Sequence, residues 1–303
     1  MRLPALLVEA FAERPCQGNG AAVVRLEEPL GDPELQAVAR SLNQSETAFL
    51  LRANQQWLLR WFTPTCEVPL CGHATLAALL ALGHWGELAA GQQLDLLSRS
   101  GPLPVRLDAT HPGSGAIELP SSGLQPLDPP QDAQDLLQAL LGEAPQAYWT
   151  SELGYRVALL SPSAALERLV LPPERLPAPE RQGWVLMQAL GGEPHPRLMG
   201  RPADYQLRFF APGLGIPEDP VTGSAHALVA PYWQERLGRQ QVVGWQCSSR
   251  PGGMVCEAAS SGMIRLSGTG HLLWDGSLHL PGFGSCPETS GVRAGSSWLA
   301  LLG

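Results

Sequence analysis

The sequence has few charged residues, and its basic residues are especially sparse. Charged side chains make up 16% of the 303 residues; 20 residues are basic and scattered, against 28 that are acidic. Proteins that bind nucleic acid neutralise phosphates with clustered Lys and Arg. With a net charge of −8, we expect no nucleic-acid partner.

Long apolar runs and targeting signals are also lacking. No stretch approaches the ~18 apolar residues that a membrane-spanning helix needs. The first nine residues hold one early Arg and an apolar stretch that ends at Glu9, without the length or cleavage site of a secretory leader. Six cysteines in a chain of this length do not make a disulfide framework. We therefore expect a cytoplasmic protein with reduced thiols and no membrane contact.

The sequence does contain what a turn-rich globular fold needs. Hydrophobic residues make up 44%, alongside 33 glycines and 29 prolines, and the length suits about two domains of ~150 residues. A Gly18-Asn19-Gly20 turn is predicted after the first strand. Strands are predicted at 8–11, 21–26, 47–51, 57–62, 116–119, 156–160 and 184–189, and short strands with glycine turns over 241–279. Helices are predicted from residue 32, at 73–82 ending on Gly83, at 132–141, and at 225–237 ending on Gly238.

The most informative feature is an internal repeat. Residues 60–64 (RWFTP) recur 148 residues later as 208–212 (RFFAP), and residues 67–74 (EVPLCGHA) recur 151 residues later as 218–225 (EDPVTGSA). Each copy reads as strand, loop and helix in the same order. The offset is about half the chain, which indicates a duplicated domain.

In each copy a glycine stands where the loop becomes the helix, Gly72 in the first and Gly223 in the second. The first N–H groups of a helix have no intrahelical partner, and the helix dipole adds positive charge there. Glycine also lets a ligand approach the backbone closely. Two such helix starts across a cleft would hold a carboxylate and stabilise an enolate-like transition state, without metal, cofactor or Arg.

These segments resemble the signatures of the phenazine-biosynthesis PhzC/PhzF family. Residues 60–78, which contain Cys-Gly-His-Ala-Thr, resemble the first signature, and residues 218–226 resemble the second. Residues 45–49 (SETAF) resemble the segment that carries the family's catalytic glutamate. Residues 18–24 and 249–253 resemble its N-terminal turn and a late segment. The resemblance spans residues 8 to about 270.

The resemblance implies an α+β fold of the diaminopimelate-epimerase type. Two similar, pseudo-symmetric domains would each form a barrel-like sheet around a central helix, with the active site between them. The domains would cover residues 1–122 and 123–280, and the tail of about 281–303 would pack back on the first. Family members are typically homodimers, and the founding member isomerises a dihydro-hydroxyanthranilate intermediate by proton transfer. The implied function is a cofactor-independent isomerase or epimerase of a small carboxylate, with cyclic and aromatic acids as candidates.

The resemblance also assigns roles by position. It makes Glu46 the general acid and base. The polar partners around the substrate would be His73, Asp219 and Ser224. The substrate contacts would be the backbone amides of Gly72, His73, Gly223 and Ser224, together with Asn19. A carboxylate base works best when burial raises its pKa, so the apolar segment 47–51 predicts a raised pKa for Glu46.

Residue chemistry alone leaves plainer roles open. Asp before Pro forms turns, and Ser at a helix start is a common cap. Glu46 taken alone is an ordinary glutamate at a strand edge, and only the resemblance favours its catalytic role. The other residues with a structural alternative are His73, Asp219, Ser224, Glu67, Glu218 and His226, the last of which we expect to pack on its helix. A non-catalytic binding protein on the same fold is one alternative function.

A cysteine-based racemase or a metal enzyme is the other alternative. Cys71 corresponds to Thr222 in the second copy, so a racemase with two thiols would lack one of them. Cys66, Cys71 and His73 are spaced more widely than a zinc knuckle, and no second pair follows. We therefore expect neither a metal nor a cofactor.

Overall fold

The computed structural model describes residues 1–260, 262–281 and 296–301, which form a strand-rich fold with few helices. The strands are β1 (Arg2–Ala10), β2 (Asn19–Leu26), β3 (Glu46–Ala53), β4 (Gln56–Phe62), β5 (Glu67–Val68), β6 (Gln93–Ser98), β7 (Gly101–Leu107), β8 (Ser114–Pro120), β9 (Gln125–Pro126), β10 (Ala147–Thr150), β11 (Arg156–Leu159), β12 (Trp184–Ala189), β13 (Arg197–Leu198), β14 (Arg201–Pro202), β15 (Tyr205–Ala211), β16 (Ile216–Asp219), β17 (Gln241–Gln246), β18 (Gly252–Ala258) and β19 (Met263–His279). The α-helices are α1 (Asp32–Leu42), α2 (Gly72–His84), α3 (Gln131–Leu141), α4 (Gly223–Leu237) and α5 (Ser296–Leu299).

The chain divides into two compact units. The first contains Met1–Pro15, Gly20–Glu118 and the described residues from Thr269 onward, and the second contains Cys16–Asn19 and the described residues of Leu119–Gly268. Strand β19 therefore contributes its first residues to the second unit and its last residues to the first.

The two units share one strand topology. In the first, β2 and β3 are parallel, β3 and β4 antiparallel, β4 and β6 parallel, and β6, β7 and β8 antiparallel. In the second, the same succession runs through β11, β12, β15, β17, β18 and β19. A parallel pair needs a long crossover. Helix α2 supplies the one between β4 and β6, and α4 the one between β15 and β17. This repeated topology confirms the predicted α+β class with two similar units.

The crossover helices α2 and α4 lie in the interior of their units. Helix α2 contacts β1, β3 and β7, and α4 contacts β17 and β18. From His73 to Leu79 every residue of α2 is buried, and so is every residue of α4 from Ala225 to Ala230. A helix that is apolar on all sides is a buried helix, and alanines let the surrounding strands approach it closely. Each unit is thus a barrel-like sheet around one central helix.

The predicted end of α2 at Gly83 is wrong. The helix continues to His84, and the chain leaves it through Gly86, whose φ is +73°. A Cβ at position 83 would lie 2.8 Å from Leu107 Cδ1 of β7. The glycine is therefore explained by close packing inside the unit, a role that local sequence does not distinguish from helix termination.

Two further predictions are corrected by strand pairing. In the predicted turn at residues 18–20, Gly18 has a φ of +69°, but Asn19 and Gly20 already belong to β2. The predicted short strands of 241–279 are β17, β18 and the single long strand β19. Glycine in β19 serves packing: a Cβ at Gly270 would lie 2.5 Å from Leu80 Cδ1.

Most of the predicted C-terminal tail, residues 282–295 and 302–303, lies outside the described residues. Within 296–301, Trp298 is buried in the core of the first unit with Leu35 and Phe49. Its Nε1 donates to the carbonyl oxygen of Leu30 at 3.0 Å. In the described part of the chain, no helix has the length and apolarity needed to cross a membrane.

Candidate active site

The repeated segments contain the same buried ion pair in both units. Arg60 donates through Nε and Nη2 to the two carboxylate oxygens of Glu67, both at 2.7 Å. Arg208 makes the matching bidentate pair with Glu218, at 2.7 and 2.6 Å. Two parallel hydrogen bonds fix both position and orientation. Each pair therefore ties a central strand to the loop that leads into the buried helix, which is the loop-fixing role considered for Glu67 and Glu218.

The start of α2 presents backbone amides. Gly72 is the first helical residue, and the first helical hydrogen bond runs from the Thr75 amide to the carbonyl of Cys71, at 3.1 Å. The amides of Gly72, His73 and Ala74 therefore have no intrahelical acceptor. Gly72 is half-buried, so the sequence prediction of an anion-binding helix start agrees with the local geometry.

A buried cluster of Glu46, His73 and Cys71 adjoins this helix start. Glu46 is the first residue of β3, and its Oε2 lies 3.0 Å from Nε2 of His73. The Cys71 sulfur lies 3.5 Å from Nδ1 of the same ring. Ser45 lies 3.2 Å from Nε2 and donates to the carbonyl of Gly20. The structure thus brings together two of the predicted site residues, Glu46 and His73.

The predicted rise in the pKa of Glu46 is wrong. Burial does raise the pKa of this carboxyl, but the charge of His73 and hydrogen bonds from His73, Ser45 and Cys71 outweigh it. The pKa of Glu46 therefore lies below its ordinary value of 4.5. The apolar segment 47–51 correctly predicted that Glu46 is buried. It could not predict the charged partner, because His73 belongs to α2 and is distant in sequence.

The partner groups titrate accordingly. Burial lowers the pKa of His73, but the charges of Cys71 and Glu46 and its hydrogen bonds to them raise that pKa well above 6.5. Burial, with the nearby charge of Glu46, raises the pKa of the Cys71 thiol to about 11. At neutral pH Glu46 is therefore a carboxylate and Cys71 an uncharged thiol, so Glu46 is the neighbouring charge that favours a protonated His73.

In the second unit, Asp219 organises the start of α4. Its Oδ1 accepts a hydrogen bond from Nδ2 of Asn19, and its Oδ2 accepts one from the hydroxyl of Thr222, both at 2.6 Å. Asn19 also donates to the carbonyl of Val221 at 3.1 Å. The side chains of Asp219 and Asn19, both predicted to meet the substrate, thus hold the loop in front of Gly223, the first residue of α4.

Sequence reasoning missed Gln246 of β17. Its Oε1 accepts from the backbone N–H of Thr222 at 2.8 Å, and its Nε2 donates to the backbone carbonyl of Asp219 at 2.6 Å. This buried amide thus holds the same loop as Asn19, through different backbone groups. The sequence carries no signal for it, since Gln246 lies outside both repeated segments.

Two other predicted positions differ in setting. Ser224 is half-buried, and its hydroxyl lies 3.4 Å from that of Tyr155. His226 is fully buried, and its Nδ1 lies 2.9 Å from the Tyr205 hydroxyl. His226 is therefore buried, as a packing role requires, and its hydrogen bond is to Tyr205 of β15. No pattern in the sequence predicted that Tyr155 would lie beside Ser224.

Comparison with known proteins identifies the family. The sequence profile of the phenazine biosynthesis-like protein family, PhzC-PhzF, matches residues 8–276. An uncharacterized isomerase of Pseudomonas aeruginosa is 38% identical, over 89% of this chain and 95% of that protein. A phenazine biosynthesis-like domain-containing protein of Bos taurus is 35% identical, over 92% of this chain and 99% of that protein.

The fold is shared with solved members. The crystal structure of a PhzF-family phenazine biosynthesis protein of Enterococcus faecalis superimposes with a TM-score of 0.79 at 30% identity, covering 92% of this chain and all of that chain. The predicted diaminopimelate-epimerase-like fold is thereby confirmed. On the strength of the matched profile, the curated relatives and the common fold, the chain belongs to the phenazine biosynthesis-like PhzC-PhzF family.

Proposed function

We propose that the protein is a cofactor-independent isomerase or epimerase that moves a proton on a small carboxylate, with Glu46 as the acid and base. Family membership and the isomerase name of the Pseudomonas relative support an isomerase. The observation that carries the proposal is the buried Glu46–His73 pair, 3.0 Å apart at the start of α2.

The charge state of this pair suits proton abstraction. With its pKa below 4.5, Glu46 is already a carboxylate at neutral pH and can take a proton from a substrate carbon. The Glu46 carboxylate favours the protonated form of His73, and the helix start adds partial positive charge. Both stabilise the negative charge that develops as the C–H bond breaks. Glu46 then returns the proton to another carbon on the same face for isomerisation, whereas epimerisation requires a second group to protonate the same carbon from the opposite face.

The residue inventory favours a mechanism without an amine nucleophile. The chain contains no lysine, and all 20 of its basic residues are arginine. Pyridoxal-dependent racemases and Schiff-base enzymes bind a carbonyl through a lysine amine. Proton transfer by a carboxylate is the chemistry that the buried groups of the first unit support best.

We propose that helix-start amides bind the substrate carboxylate. In the first unit these amides belong to Gly72 and His73. In the second unit the proposed contacts are the amides of Gly223 and Ser224, with Asp219 and Asn19 holding the loop before them. Amides at a helix start suit an anion because they combine N–H groups that lack an intrahelical acceptor with the helix dipole.

Exchange with deuterated solvent tests the proposal on a panel of acids, so no single substrate has to be chosen. The wild-type protein would be incubated in D₂O with cyclic and aromatic carboxylates, and each acid would be examined by mass spectrometry and NMR. We expect deuterium at a carbon of at least one acid. Glu46→Gln should lower that exchange by a factor of about 10² to 10⁴, because it removes the base and keeps the shape.

Thermal shift separates chemistry from binding. The acid that exchanges should raise the melting temperature of both wild type and Glu46→Gln. Exchange that survives in Glu46→Gln would rule out Glu46 as the base. If no acid stabilises either protein, carboxylate binding itself is refuted. Assembly as a homodimer stays a proposal from family resemblance, to be checked by light scattering.

A further inference from the structure

Glu46, Cys71 and His73 also have the arrangement of a metal site. One donor atom from each residue can be chosen so that all three lie within 4.8 Å of one another, and all three side chains are buried. Sequence analysis considered a different set, in which Cys66 took the place of Glu46, and expected no metal there. Cys66 is exposed and bonded within the turn at Thr63, whereas Glu46 reaches the cluster from β3.

The spacing of the donors fits a tetrahedral ion. Zinc bonds of about 2.0 Å to N and O and about 2.3 Å to S give donor–donor edges of roughly 3.3 and 3.5 Å. The Glu46 oxygen lies 3.0 Å from Nε2 of His73, and the Cys71 sulfur lies 3.9 Å from that nitrogen. The third edge, between the Glu46 oxygen and the Cys71 sulfur, is at most 4.8 Å. Because the sulfur lies nearer Nδ1 of His73, at 3.5 Å, joint binding through Nε2 requires a rotation of the imidazole ring or of the Cys71 side chain.

The donor set selects the kind of ion. A sulfur and an imidazole favour borderline-soft transition metals, and they disfavour Mg²⁺ and Ca²⁺, which prefer oxygen. Three protein donors leave the fourth position for water or another small ligand. We propose that the Glu46–Cys71–His73 cluster binds one Zn²⁺ ion, with Co²⁺ as a spectroscopic substitute. Binding displaces the thiol proton of Cys71 and the proton on the coordinating nitrogen of His73 to solvent, so the affinity should fall as pH falls.

Such an ion would act on the protein as an inhibitor. It would occupy the Glu46 oxygen that the proposed reaction needs as a base. This inhibition rests on the proposed function, whereas metal binding does not. Metal binding is therefore tested without a substrate and without an activity measurement.

The test is metal titration of the full chain after treatment with a chelator. Addition of Co²⁺ should produce a thiolate-to-cobalt charge-transfer band that saturates at one equivalent and disappears when Zn²⁺ is added. Cys71→Ser should abolish the band and weaken Zn²⁺ binding, measured by competition with a chromophoric chelator, by at least about tenfold. The exposed Cys66→Ser is the matched control and should leave both the band and the affinity unchanged.

A second variant guards against misfolding of Cys71→Ser. His73→Asn should also weaken Zn²⁺ binding by at least about tenfold while it keeps the cysteine. Circular dichroism without metal checks that each variant is folded. The proposal is overturned if wild type shows no saturable charge-transfer band, or if the band is lost in Cys66→Ser and kept in Cys71→Ser.

Discussion

The carboxylate of Glu46 and the imidazole of His73 determine each other's charge. Alone, a carboxyl at this depth would have a raised pKa, and a buried imidazole a lowered one. Because they lie 3.0 Å apart, each favours the charged form of the other, which lowers the pKa of Glu46 and, together with Cys71, raises that of His73. For the proposed reaction, this pairing keeps the Glu46 carboxyl ionised at neutral pH despite its burial.

Cys71 is placed beside this pair as a protonated thiol, which predicts its reactivity. Thiolate is the form that reacts with alkylating agents, and burial with the charge of Glu46 raises the pKa of Cys71 to about 11. We expect iodoacetamide at pH 7.5 to label the exposed Cys66 at least about tenfold faster than Cys71. Peptide mass spectrometry over a time course measures both rates in one sample.

Labelling of Cys71 before Cys66 would contradict this prediction and would revive the thiol-racemase alternative. The same time course includes an internal reference, since Cys247 and Cys256 are also buried, with pKa values raised by burial to about 12. Both should be labelled as slowly as Cys71.

At the scale of the elements, helix α4 differs from α2 by a proline inside it. Pro231 has no N–H, so the carbonyl of Ala227, one turn earlier, loses its helical partner. The hydroxyl of Ser121 donates to that carbonyl at 2.9 Å. A buried carbonyl needs a partner, and the segment after β8 supplies it. Sequence patterns predicted the helix. They could not predict that Ser121, 106 residues away, donates to the carbonyl that Pro231 leaves without a helical partner.

Removal of this hydroxyl should destabilise the protein. Ser121→Ala leaves the Ala227 carbonyl without its donor, and we expect a loss of about 1–3 kcal/mol in the free energy of unfolding. Urea denaturation followed by circular dichroism measures it. The neighbouring Ser122 is the matched control, because its buried hydroxyl has no hydrogen-bond partner in the described structure. Ser122→Ala should cost nothing, and equal losses in the two variants would contradict the assignment.

At the scale of the whole molecule, the duplication explains how far the sequence could be read. The repeated Arg, Glu and Gly positions lie in short contiguous segments, so an offset comparison finds both loops and both helix starts. The offset comparison could not predict contacts between distant segments, because a polar residue in the sequence does not identify its hydrogen-bond partner. Gln246, 27 residues beyond Asp219, is one example. Gly83, read as a helix end but explained by contact with Leu107, is another.

The duplication also shows where the two units diverge, and one such position should control stability in acid. His226 of α4 corresponds to Thr75 of α2 and is enclosed with Tyr205 and Cys256. Burial raises the pKa values of Tyr205 and Cys256, so both are neutral, and burial lowers the pKa of His226 to about 3. The imidazole is therefore kept uncharged in the folded protein.

This depressed pKa gives the stability a definite pH dependence. As pH falls below 6.5, the unfolded chain gains a proton on His226, while the folded protein does not until about pH 3. The free energy of unfolding should therefore fall over that window. His226→Gln cannot titrate but can still accept the Tyr205 hydrogen bond. As pH drops from 7 to 4, the melting temperature of wild type should fall more than that of His226→Gln. A difference that stays constant across this range would show that His226 is charged, or exposed, in the folded state.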